Sequence, residues 1–209
     1  MTSDIRRIFD FIIELDKLKF VLRKTKPLGS DRYENSAEHS WQVCLLAQLL
    51  VQESPVPIDV VRVVELLLVH DIPEIDAGDK IVYQARSEAG LQEEKQAAER
   101  IFGLLPEPQS NWCLSRWEEY ESGQTKEAVF AYAVDRLMPV LHNLRNSGQS
   151  WKENNVPLEK IITVNSAIGT ALPTVWFYVE TLIKEFAAES LPSAESVEGK
   201  DGIRASFVC

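Results

Sequence analysis

The segment Val60-Val61-Arg62-Val63-Val64-Glu65-Leu66-Leu67-Leu68-Val69 is apolar nearly all round, and Asp59 stands ready to cap it as a helix. Such a helix belongs at the centre of a fold, because a solvent-facing side would expose aliphatic surface. What it delivers inward is polar. His70-Asp71 follow directly, and Glu74, Asp76 and Asp79 add three more carboxylates within the next eight residues. Crowding these groups at a buried position is costly unless a cation or an ordered network compensates them. Neighbouring side chains on a helix point about 100° apart, yet an opened last turn can aim both into one cleft. His70-Asp71 therefore reads either as two ligands of one metal ion or as an interior histidine beside a surface aspartate.

The other segments repeat the helical period. Residues 4–22 carry one broad apolar stripe, broken by Pro27 and Gly29. Further helices are predicted over 36–50, with Asn35 or Ser36 as cap, and over 88–102, 112–120, 126–146 and 157–188, the last with a kink at Pro173. No stretch alternates as a strand would. The reading is an all-α single domain of about seven helices over residues 1–189, with a Ser-, Glu-, Gly- and Ala-rich flexible tail over 190–209. At 209 residues and 45% apolar, the chain can bury a sizeable core. The net charge of −10 speaks against nucleic acid as a partner. It leaves room for a small phosphorylated one, since a metal and a few basic groups set the local field. No apolar run nears the roughly 20 residues of a membrane span. Met1-Thr2-Ser3-Asp4 enters an amphipathic pattern at once, and Cys44, Cys113 and Cys209 show no paired spacing. The expectation is a cytoplasmic protein without a signal peptide.

Two more polar residues are unexplained by their apolar settings. His39 lies in the first turn of the second helix, where the dipole disfavours a cation and a neutral, metal-bound imidazole fits better; capping or surface exposure is the alternative. Asp135 interrupts the apolar stripe of the 126–146 helix and needs a partner. His39, His70, Asp71 and Asp135 form a nitrogen–oxygen set suited to Mn, Co, Fe, Zn, Ni or Mg, and the lack of thiolates argues against a closed structural zinc site. Lys17, Lys19, Arg23, Lys24 and Lys26 concentrate positive charge, either as a solvated helix end or as an anion site. His142 reads as a packing residue, and Glu93, Glu94 and Glu99 as a solvated face.

His39, His70-Asp71 and Asp135, in this order on separate helices, resemble the H…HD…D pattern of the HD-domain phosphohydrolase superfamily. Arg32-x-Glu34-Asn35-x-Ala37-Glu38-His39-Ser40, His70-Asp71-x-x-Glu74-x-x-x-Gly78-Asp79 and Trp117-Glu118-Glu119-Tyr120-Glu121 are similar to its 5′-deoxynucleotidase branch, over about residues 5–145. The resemblance implies an HD-domain bundle and one divalent metal ion per subunit, held by His39, His70, Asp71 and Asp135. It implies hydrolysis of a nucleoside 5′-monophosphate to nucleoside and phosphate, with Glu74 as general acid/base and Asp79 in support. Arg23 aligns with a substrate-contacting residue and would hold the phosphate. Arg32 would assist, or else pair with Glu34 or Glu38. Lys24, also placed at the substrate, stands where bacterial deoxynucleotidases have a Trp of the sugar-recognition surface, so the 2′-deoxy preference does not carry over. The resemblance also implies a homodimer, with Trp176, Phe177 and Tyr178 as candidate interface. The alternatives are hydrolysis of another phosphorylated metabolite and a non-catalytic nucleotide-binding sensor; the intact Glu74 argues against a pure binder.

Overall fold

The computed structural model describes residues 2–85 and 87–190. The chain begins with α1 (Thr2–Glu14), which tightens into a 3₁₀ helix over Leu15–Phe20 where a single helix to residue 22 was expected. Then come α2 (Ser36–Leu50), a 3₁₀ turn (Val51–Glu53), α3 (Val60–Val69), the one-turn α4 (Glu74–Ala77), α5 (Glu88–Phe102) and α6 (Glu107–Ser122). The order closes with α7 (Lys126–Arg145), α8 (Gln149–Glu153), α9 (Leu158–Asn165), α10 (Ile168–Ala171) and α11 (Pro173–Ser190). Among the described residues there is no strand, only one antiparallel bridge between Leu22 and Asn35. None of their helices is long and apolar enough to cross a membrane. The expected tail, with Cys209, lies outside the described residues except for Ser190, which ends α11.

The single helix expected over 157–188 is three. Leu172 is pushed to φ −134°, ψ 64° by the proline that follows, and Pro173, lacking a backbone N–H, opens α11 instead of kinking a longer helix. Trp151, between the 126–146 and 157–188 segments, is almost fully buried in α8. Of the three aromatic residues expected at an interface, Trp176 packs on the core, while Phe177 and Tyr178 are exposed.

Asp59 caps α3 by accepting from the Val61 and Arg62 amides. The helix packs against α2, α6 and α7 and sits where two apolar clusters meet. Val63, Leu66 and Leu67 belong to the larger cluster with α2 and α7; Val69 belongs to the smaller one with Phe11, Ile101 and Trp117. Its ridge is not wholly enclosed, since Val61 and Leu68 are exposed. The His70-Asp71 pair emerges at the seam between the clusters, where neither can cover it with aliphatic side chains.

The entry to α2 is set by Asn35. Its side chain accepts from the Glu38 amide at 3.0 Å, and Glu38 returns the bond to the Asn35 amide at 2.8 Å, a complete capping box. Ahead of it the chain doubles back, with the Arg23 amide donating to Glu34, and the Glu34 amide to Thr25, at 2.8 and 2.9 Å. That fold-back sets Arg23 beside the start of α2. Replacing Asn35 by Ala is expected to lower stability by about 1 kcal/mol, read as a shift in the urea midpoint; an unmoved midpoint would show that the cap contributes nothing.

Candidate active site

Four buried residues, His39, His70, Asp71 and Asp135, converge at the seam from α2, the end of α3 and α7. His39, one turn into α2, places Nε2 at 2.9 Å from Asp135 Oδ1. His70, at the end of α3, places Nε2 at 3.0 Å from Asp71 Oδ1 and 3.7 Å from the same Asp135 oxygen. One donor atom each from His39, His70 and Asp135 lies within 4.8 Å of the others. Pro139, four residues on in the same helix, cannot offer the amide that would normally bond the Asp135 carbonyl.

The proton positions on His70 can be argued. Its Nδ1 faces the Leu67 carbonyl at 2.8 Å; a carbonyl only accepts, so Nδ1 carries a hydrogen. Nε2 of the neutral ring is then a lone pair, buried without a hydrogen-bond partner and aimed at two carboxylates. Only a positive charge reconciles three lone-pair atoms facing one point. A divalent cation fits this donor set, and the Nδ1–H···O=C bond is the outer support that fixes the tautomer of a metal-bound histidine. Without metal a proton substitutes. Burial alone would lower the pKa of His70, but the charges of Asp71 and Asp135 raise it to about 9. Asp135 is likewise held well below the usual carboxylate range: burial opposes this, and the hydrogen bond of His39 and the nearby charge of His70 overcome it.

Three supporting residues were not placed in the site from sequence. The Tyr120 hydroxyl donates to Asp135 Oδ2 at 2.9 Å, leaving Oδ1 to the histidines. Glu34, buried, accepts from the Thr25 hydroxyl and lies 3.6 Å from His39 Nδ1. Ser36 donates to Glu74 Oε2 at 2.6 Å. All three lie inside the motif segments, which was the available signal; their partners are distant in sequence.

Beside the cluster opens a cavity of about 560 Å³ whose walls include Arg23, Lys24, His70, Asp71, Glu74 and Asp79. Glu74 is the first residue of α4, brought back beneath Asp71 by the turn at Pro73. Burial, with the negative charges of Asp71 and Asp79, pushes its carboxyl well above the ordinary range against the pull of Arg23. Asp79 is raised too, chiefly by burial. Arg23 donates to Asp71 Oδ2 at 2.8 Å and lies within 3.9 Å of Glu34, Asp79 and Asp135. Arg32 is the expected residue that the structure does not bring to the cavity: its guanidinium forms a two-pronged pair with Glu38 on the surface. Glu93 and Glu94, expected on a solvated face, help to line the cavity and face Lys80. The loop before α5 is pinned by Tyr83, whose hydroxyl accepts from Trp151 Nε1 at 2.9 Å and Asn165 Nδ2 at 3.0 Å. His142 packs in the interior, its Nδ1 3.8 Å from Glu34.

The family model for the HD domain matches residues 15–176, a span that includes every residue of this cluster. The chain belongs to the HD-domain family. Similar HD-domain relatives include the 5′-deoxynucleotidase HDDC2 of Xenopus laevis, 30% identical over 54% of this chain and 56% of that protein. The human protein of the same name is 29% identical over 53% of each. The chain thus spans little more than half the length of these curated relatives. The crystal structure of a predicted metal-dependent phosphohydrolase from Magnetospirillum magnetotacticum MS-1 is 38% identical, with a TM-score of 0.83 over 89% of this chain and 96% of that one. A conserved hypothetical protein from Pyrococcus furiosus shares the fold alone, at 22% identity and a TM-score of 0.57 over 86% of this chain and 99% of that one.

Proposed function

We propose that this HD-domain protein is a metal-dependent phosphohydrolase that releases phosphate from nucleoside 5′-monophosphates. The observation that carries the reading is the convergence of His39, His70 and Asp135 donor atoms within 4.8 Å, at the wall of a cavity that also holds Glu74. The names of the HDDC2 relatives and of the Magnetospirillum protein support it. His39, His70 and Asp135 would hold one divalent ion, with Asp71 beside them. Bound there, the ion would supply a Lewis acid that offsets phosphate charge and makes water a better nucleophile.

The chain's own residues do the rest. Glu74 handles the proton: its burial favours the protonated form relative to an ordinary carboxylate, and the Ser36 hydroxyl holds its orientation. It takes a proton from the attacking water and returns one to the departing 5′-oxygen. Arg23 keeps Asp71 and Asp79 in register, since without it their charges would repel. Lys24, exposed at the cavity mouth, offers positive charge to an incoming anion in an otherwise acidic protein.

The test is phosphate release from ribo- and deoxynucleoside 5′-monophosphates by stripped protein resupplied singly with Mn, Co, Fe, Mg, Zn or Ni. Metal-restored release from at least one nucleotide is expected. No release with any ion, despite metal binding, overturns the reading.

A further inference from the structure

The cavity contains one positive charge that the chemistry above does not use. Arg23 is answered by four carboxylates. Lys80 lies 3.4 Å from Glu94 and 3.5 Å from Glu93, and 3.4 Å from the Gly90 carbonyl. Arg136 is different. It follows Asp135 on α7 and lines the cavity with only 19% of its side chain exposed. Its Nε is buried, and among the described residues it has no hydrogen-bond partner. The nearest carboxylate oxygen, Asp135 Oδ2, is 3.9 Å away, beyond hydrogen-bond reach, and already accepts from Tyr120. The guanidinium instead lies over the Tyr132 ring, 4.7 Å from its centroid, one turn earlier on the same helix.

A buried guanidinium N–H without an acceptor is unfavourable, and an oxyanion relieves it with a charge-assisted bond. Stacking on Tyr132 fixes the plane of the fork before any ligand arrives, which limits the ordering left to be done on binding. Consecutive helix residues point about 100° apart. A single turn of α7 nevertheless presents to one cavity both a candidate metal ligand and a guanidinium whose Nε–H has no acceptor among the described residues.

We propose that Arg136 is the residue that grips the phosphate oxyanion of the substrate. This rests on the phosphohydrolase reading. The expected role of Arg23 changes accordingly: it is the counter-charge of the carboxylates, and the phosphate grip belongs to Arg136. A planar, stacked fork also explains why arginine suits the position and lysine does not.

The test titrates inorganic phosphate into manganese-saturated wild-type, Arg136→Gln and Arg136→Lys proteins, with manganese affinity measured alongside by calorimetry. Loss of the fork is expected to raise the phosphate dissociation constant roughly 10- to 100-fold in Arg136→Gln. Arg136→Lys should recover part of it, and manganese affinity should stay within about twofold, because Asp135 keeps the hydrogen bond from Tyr120. Phosphate affinity that is equal in all three proteins, or undetectable in the wild type, overturns the proposal. So does a loss of manganese affinity with phosphate binding intact, which would make Arg136 a structural counter-charge. The two readings separate cleanly. Arginine-dependent phosphate binding without turnover of any monophosphate sinks the hydrolase and keeps the grip. Turnover with a KM that Arg136→Gln leaves unchanged does the reverse.

Discussion

Glu74→Gln is expected to leave a folded protein that binds metal and scarcely turns over, with kcat lower by about 10²- to 10⁴-fold. The amide is nearly isosteric and can still accept the Ser36 hydroxyl bond, so α4 and its approach to Asp71 should persist. What disappears is the ability to exchange a proton. The carboxyl is buried against Asp71 and Asp79, an environment that raises its proton affinity and makes it the group in the cavity best disposed to shuttle one. Steady-state kinetics beside a manganese titration would separate the two functions. Turnover within a few-fold of wild type would remove Glu74 from the chemistry, and a parallel loss of metal affinity would make it a ligand instead.

Stripping the metal is expected to abolish turnover and to lower the melting temperature together. Saturation at about 100 times the dissociation constant stabilises by about 2.7 kcal/mol, which for a chain of this size corresponds to roughly 5–10 °C. The stripped protein is expected to stay folded at neutral pH, because a proton on His70, facing Asp71 and Asp135, can stand in for the ion. The sign follows from its direction. The pKa is raised from 6.5 to about 9 on folding, so the stabilisation is fully present below pH 6.5 and is lost as pH rises towards about 9. The gap in melting temperature between loaded and stripped protein should therefore widen over that interval. Differential scanning fluorimetry at several pH values would measure it. A gap absent for all six ions would dispose of the metal centre, and a gap that narrows with pH would dispose of the protonated His70.

The parts of this architecture that are local were legible in the sequence. Asp59, Gly123 and the apolar period of residues 60–69 specify α3 and the end of α6 through contacts a few residues long. Glu88–Phe102 emerges with the bounds its pattern implied. The misreadings are non-local or turn on a single backbone detail. The break at Leu172 depends on what precedes Pro173, and the fold-back that carries Arg23 to α2 rests on amide bonds between residues about ten apart. The candidate site divides in the same way. His39, His70-Asp71 and Asp135 could be singled out because each is a polar group in an apolar setting, and Glu74 stood out through the resemblance. Tyr120, Ser36 and Arg136 could not, since a tyrosine, a serine or an arginine on a helix looks ordinary until its partner is known. Arg32 and Arg23 show the converse: both were visible as cations, but which carboxylate each would meet was not.

Tyr83 has a consequence for how such a protein changes over generations. It ties one wall of the cavity to Trp151 and Asn165, on α8 and α9, helices that supply none of the candidate ligands. The cluster belongs to α2, α7 and the end of α3, held by its own hydrogen bonds. Drift in the C-terminal third can therefore remodel what the cavity admits while the reacting groups stay where they are. Selection can act on substrate range and on chemistry through separate stretches of one chain.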